Sequence, residues 1–168
     1  MWSPDRRRLL RLGALALGAS ALAGCGFRPM YGRGEAVADL YGAIAYRTPE
    51  GRLGWMLRET LQRRLGRPGE APTHALEADI KLADTGLAIT EDSAITRYVV
   101  RGVSRWTLTG PPGFKPLSGE VKSVSAYSAT GSLFATRAAR RGAEERVVRD
   151  LGERLATRVA GRLAAAGA

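Results

Sequence analysis

The chain has 168 residues, enough for one domain around a single core, and carries a formal net charge of +10 with one cysteine and one histidine. That composition excludes a disulfide framework and a His/Cys metal cluster. The lone His74, beside Pro72, reads as a surface residue rather than a catalytic base; no Ser/His/Asp spacing or phosphate-cradling glycine loop is evident, so neither an enzyme nor a resident cofactor or metal is expected.

The chain opens with a basic segment containing Arg6, Arg7, Arg8 and Arg11, followed by an apolar run from Leu12 to Gly24. That run is shorter than the roughly 20 apolar residues a permanent membrane helix needs, and it reads as an export signal. It ends in Leu22-Ala23-Gly24-Cys25, which resembles the lipobox of bacterial lipoproteins. Small residues before the cleavage point admit a peptidase, and the Cys25 thiol is the nucleophile that takes a diacylglycerol. The other reading is a free cysteine after an ordinary signal peptide; a lone Cys directly after a small pair favours lipidation. Arg6-Arg7 followed by Leu9-Leu10 also resembles a twin-arginine signal, so the export route stays open. The expected organisation is a signal peptide over 1–24, a lipidated tether over 25–35 and one domain over 36–168.

Removing residues 1–24 takes away four arginines and Asp5 and leaves 144 residues with a net charge of about +7. Export sets nucleic acid aside as a partner, and the charge points instead to lipopolysaccharide and phospholipid surfaces. A scattered basic surface that serves solubility is the alternative.

Leu40 to Arg47 is short, apolar and aromatic, and reads as a strand. Residues 52–66 have helical period, with Leu53, Met56, Leu57, Leu61 and Leu65 on one stripe and Gly66 at its end. The second strand alternates Leu76, Ala78, Ile80 and Leu82 against Glu77, Asp79 and Lys81, with a bulge or bend expected at Asp84-Thr85-Gly86 before Leu87-Ala88-Ile89. Glu77 and Asp79 share a face, which alternation explains without an acid–base role. A third strand runs from about Thr96 to Thr109, the proline-rich stretch from Gly110 to Pro116 is a loop, and a fourth strand covers about Ser118 to Ser128. A last helix carries Val147, Leu151, Leu155, Val159 and Leu163 at every fourth position; Glu144 and Glu145 sit where a first turn prefers acids, and the membership of residues 132–141 stays open because Gly142 interrupts the pattern. The order β-α-β-β-β-α predicts an α+β, two-layer sandwich, with two helices packed on one face of a four-stranded mixed sheet. The first strand joins in parallel through its helical crossover, and the other three form a meander.

On the third strand Arg97, Arg101 and Arg105 share one face, spaced by about 13 Å, with Val99 and Val103 between them. Lys122 on the next strand has the parity to join them. Guanidinium forks beside apolar surface suit an anionic amphiphile, phosphate on the one and acyl chain on the other. Alternatively, this is a solvated face whose arginines pair with Glu77, Asp79 or Asp84. Phe114 and Lys115 sit between prolines in the 110–116 loop, either presented as a lipid or protein contact or folded back onto the sheet. The candidate lipopolysaccharide-binding residues are thus Arg97, Arg101, Arg105, Lys115 and Lys122, and the candidate partner contacts Phe114, Val99 and Val103.

Cys25-Gly26-Phe27-Arg28-Pro29-Met30-Tyr31-Gly32 resembles the start of the mature lipopolysaccharide-assembly lipoproteins of the LptE family of alphaproteobacteria, with Met30 where a Leu is usual. The element order is similar too, as is the end, where Tyr127, Phe134-Ala135, Ala143 and Arg146 precede an amphipathic helix. The resemblance implies a non-enzymatic lipoprotein anchored on the periplasmic side of the outer membrane. It implies a partner, the LptD beta-barrel, with the domain partly inside the barrel, and a role in barrel assembly and in delivering bound lipopolysaccharide to the cell surface. Only Cys25 carries over as a site residue. Another outer-membrane lipoprotein, one that binds phospholipid in a transport system, is the runner-up; a peptidoglycan-modifying enzyme would need a catalytic constellation that is missing here. Cys25→Ala should block both lipidation and processing. Mass spectrometry that finds an unmodified Cys25 in mature protein overturns the lipoprotein reading.

Overall fold

The computed structural model describes residues 40–89, 95–129 and 131–166; the export signal, Cys25 and the tether lie outside them. The chain builds strand β1 (Ile44–Arg47), helix α1 (Arg52–Leu65), strands β2 (His74–Ala78), β3 (Lys81–Ile89), β4 (Ile95–Thr109) and β5 (Leu117–Ser128), and helix α2 (Leu133–Ala166). β1 pairs in parallel with β2, as the helical crossover requires, and β2, β3 and β5 all pair antiparallel with β4. The class is α+β as predicted, a mixed sheet with two helices on one face.

The core follows from the two periodicities. On β4, Val100, Trp106 and Leu108 are almost wholly buried, at 1, 2 and 0% exposure, and alternate with exposed arginines. On α1 the stripe Leu57, Leu61 and Leu65 is buried, and on α2 so are Val147, Leu151, Leu155 and Val159. Burying such side chains is worth about 1.5–3 kcal/mol each, so α2 contributes on the order of 10 kcal/mol before chain entropy opposes it. The helices run side by side in the same direction, tied by Arg52–Glu145 and by Arg64–Glu153 at 2.7 Å.

Two glycines permit this packing. A Cβ on Gly102 would stand 2.3 Å from Val147 Cγ1, so α2 reaches the sheet only because β4 has no side chain there. A Cβ on Gly152 would stand 2.8 Å from Thr60 Cγ2, which sets the helix–helix approach.

The sheet has five strands rather than the four expected. The extra one comes from a break inside the predicted second strand. Ala78 opposes Trp106 and Lys81 opposes Val103, so β2 and β3 keep one register along β4. At the break Asp79 N–H donates to the Arg105 carbonyl at 3.0 Å, but Arg105 N–H donates to the Asp79 carboxylate at 2.6 Å. A side-chain oxygen takes the place of a backbone carbonyl and interrupts the ladder without shifting it. The expected bulge lies between Gly86 and Ala88, slightly beyond the predicted bend.

Two further boundaries differ. Leu40 to Ala43 is a turn, closed by Ala43 N–H on the Leu40 carbonyl with Gly42 at φ +88°, so the first strand starts at Ile44. The last helix begins at Leu133 and includes residues 133–141. Gly142 costs it about 1 kcal/mol, which the full burial of Ala143 and Val147 outweighs. Glu144 and Glu145 are therefore mid-helix and serve as partners for Arg140 and Arg52 rather than as first-turn acids. The early turns of α2 are held by Asp84, which accepts hydrogen bonds from the Tyr127 hydroxyl at 2.7 Å and faces Arg140 Nε at 3.3 Å. Burial, and then the Asp84 bond, push the Tyr127 hydroxyl up to about 12.

Gly102→Val should overpack the α2 seat, destabilise the domain by about 1–3 kcal/mol and lower the thermal midpoint by several degrees, and Val147→Ala should recover part of the loss. Thermal unfolding of the single and double variants measures both; an unchanged midpoint in Gly102→Val would show that α2 does not depend on this contact.

Candidate functional site: the open face of the sheet

Both helices cover one face of the sheet, so the odd-numbered residues of β4 look the other way. Register assigns that face its rows. Asp79, Arg105 and Glu120 are one row, and Lys81, Val103 and Lys122 the next. Ala83, Arg101 and Val124 follow, then Thr85, Val99 and Ala126, and Arg97 stands beside Ser128.

Charge along these rows is sorted. Glu120 takes Arg105 Nε at 3.0 Å and Lys122 Nζ at 3.1 Å. The hydrogen bond from Lys122 above all, with the nearby Arg105 guanidinium, holds the Glu120 carboxyl below its ordinary value. Arg105 and Lys122 thus share one carboxylate. The cross-sheet pairing with Glu77, Asp79 or Asp84 takes a different form: Asp79 binds the Arg105 backbone, and Asp84 lies on the helix side with Tyr127 and Arg140. Arg97 and Arg101 are exposed and carry no ion pair among the described residues. Two guanidinium groups on side chains rooted about 13 Å apart along β4 are left with donors for an incoming anion.

The apolar part of the face differs from the expectation in one respect. Val99, a predicted contact, is only 6% exposed, whereas Val124, beside Arg101, is 62% exposed. Val103 is half-buried between Lys81 and Lys122. Lys81 is the cation that sequence reasoning did not assign here. Its parity was legible in the Glu77-Asp79-Lys81 alternation, but its position opposite Val103 depends on strand register.

The loop residues lie elsewhere. Lys115 follows Thr109, roughly 26 Å along the strand from Arg101 at about 3.3 Å per residue, so it does not join the cationic cluster. Phe114, which the sequence left open between presentation as a contact and folding back, is half-buried, with its ring edge-on to His74 at 4.9 Å between centroids. Gly110 makes room for it, since a Cβ there would stand 2.6 Å from the ring. His74 is accordingly a packing residue, and its burial lowers its imidazole below the ordinary value. Bulky apolar exposure is concentrated instead at Tyr41, Trp55, Leu133 and Phe134. Among the described residues no group of acidic, histidine or cysteine side chains could hold a metal, and no helix is long and apolar enough to cross a membrane.

Solved structures share this build. Rare lipoprotein B from Shewanella oneidensis superposes with a TM-score of 0.59 at 12% identity, covering 71% of this chain and 94% of that one. A candidate lipoprotein from Caulobacter crescentus CB15 gives 0.58 at 21% identity, covering 76% and 96%. The uncharacterized lipoprotein B from Nitrosomonas europaea gives 0.55 at 12% identity, covering 80% and 90%. At these identities the likeness concerns the fold. No curated protein sequence matches the chain. The LptE family model, described as lipopolysaccharide-assembly, matches residues 38–159, most of the chain. By that match, and with a fold shared by solved lipoproteins, the chain belongs to the LptE lipopolysaccharide-assembly family.

Proposed function

We propose that this domain binds lipopolysaccharide on the open face of its sheet, and that it does so as the partner of an LptD beta-barrel in the outer membrane, anchored there by the lipid on Cys25. The observation that carries the binding site is the exposed pair Arg97 and Arg101, free of carboxylate partners among the described residues and set beside Val103 and Val124. Forked guanidinium donors suit the phosphates of the ligand, and the valines suit its acyl region. Arg105 and Lys122 contribute less, because Glu120 already neutralises part of their charge. The activity is binding and handover rather than bond chemistry, in keeping with the family.

The Arg97→Gln, Arg101→Gln and Arg105→Gln triple variant should bind lipopolysaccharide about tenfold more weakly, a loss of about 1.4 kcal/mol, with an unchanged circular-dichroism spectrum. Salt should weaken the wild-type binding only in part, because the acyl contacts are not screened. Undiminished binding by the folded triple variant assigns this face to solvent.

The exposed apolar positions on a charged face also support docking into a concave partner. The lipid at Cys25 would raise the local concentration of the domain at the barrel, while the folded domain would supply the contacts. The mature chain lacking Cys25, co-expressed with the barrel, should therefore elute with it in size-exclusion chromatography under mild detergent. Val124→Asp, at an exposed position, should weaken this co-elution without disturbing the core, whereas Phe114→Asp would disturb the packing of Phe114 on His74. Separate elution of the folded anchor-free chain overturns the barrel partnership.

A further inference from the structure

Strand β5 is an edge, and its free side faces a groove. Arg146 of α2 donates from outside the sheet to the Ala126 carbonyl at 3.1 Å, so the even-numbered residues of β5 turn their backbone groups away from β4. That contact covers one end of the edge only. The peptide groups of Glu120, Lys122 and Val124 have no backbone partner beyond the sheet among the described residues. Their side chains point to the open face and leave the edge itself accessible.

Beside this edge α2 runs antiparallel to β5, as Arg146 at Ala126 and Asp150 at Ser123 show. Between them lies a groove of about 1090 Å³, with Lys122 on the strand side and Arg154, Thr157, Arg158 and Arg162 on the helix side. Its three carboxylates are engaged: Glu120 by Arg105 and Lys122, Asp150 by Arg154 and Ser123, and Glu153 by Arg64. Arg158 and Arg162 carry no ion pair among the described residues, and both are exposed. Four helical residues rise by about 6 Å, close to the roughly 6.6 Å between alternate side chains of a strand.

We propose that the β5 edge and the adjoining flank of α2 form a docking site for an extended acidic segment of a partner polypeptide. The segment adds to β5 as a further strand, and carboxylates at alternate positions meet Arg158 and Arg162. A row of free peptide groups at strand spacing matches another backbone, whereas a phosphate headgroup would use the arginines and leave those groups in water. This surface adjoins the open face, from which the side chains of Glu120, Lys122 and Val124 project, but it uses their peptide groups and the arginines of α2 and does not depend on lipopolysaccharide binding there.

The test titrates an eight-residue peptide of alternating Glu and Val into the isotopically labelled full chain in detergent, followed by amide shifts and by calorimetry. Controls are a Lys–Val peptide and the same Glu–Val peptide N-methylated at alternate residues. The expected result is shifts at the Glu120, Lys122 and Val124 amides, at least tenfold weaker binding by the Arg158→Glu, Arg162→Glu double variant, and loss of binding with the N-methylated peptide. Any of four results overturns the proposal: no binding at millimolar peptide, shifts confined to α2, equal binding by the Lys–Val or N-methylated peptide, or displacement of the peptide by anionic phospholipid vesicles, which would make the groove a headgroup site.

Discussion

The close seat of α2 on β4 is the constraint on which the rest of the molecule depends. With only a hydrogen at Gly102, Val147 and Leu151 reach the sheet backbone, and the valine and leucine stripe of α2 covers Trp106 and Val100. α1 is then fixed in turn, because Gly152 lets Thr60 approach and two ion pairs align the helices. Interiors packed to crystalline density tolerate little change at such contacts. One consequence is asymmetry: both helices lie on one face, and no helix among the described residues covers the other.

That bare face is organised by the pairing of β4 with its neighbours. Register places Glu120 beside Arg105 and Lys122, which neutralises one end of the arginine row and leaves Arg97 and Arg101 unpaired at the other. A strand that alternates arginine and valine is thus converted into a graded surface, acidic and compensated near Asp79 and Glu120, cationic with exposed apolar patches near Arg101 and Val124. The same long strand supports β2 and β3 in one register, with the Asp79 carboxylate replacing a backbone acceptor at their junction.

Much of this was legible without coordinates because it depends on spacing alone. A period of two separates Val100, Trp106 and Leu108 from Arg97, Arg101 and Arg105 whatever the strand later pairs with. A repeat of about four residues marks the buried stripe of α2 from Val147 to Leu163 in the same way. Apart from the local turn that delays the first strand, the boundaries that differed were places where a distant contact outweighed a local signal. Gly142 reads as a helix breaker until Ala143 and Val147 are seen to be buried, and Asp79 reads as one more strand residue until Arg105 is opposite it.

The sequence by itself therefore determined the order of helices and strands apart from the break that divides the second strand, the parallel joining of the first strand, the two faces of β4 and, through Cys25-Gly26-Phe27-Arg28-Pro29, the resemblance to a lipoprotein family. Only the tertiary structure decided which arginines are free, that Lys81 joins their face, that Val99 is covered while Val124 is not, and that Phe114 packs on His74. The physical reason is range. Periodicity is a property of neighbours along the chain, whereas pairing and burial arise between residues far apart in sequence, such as Arg105 with Glu120, His74 with Phe114 and Gly102 with Val147, and are set when strands choose a register and a helix settles on the sheet.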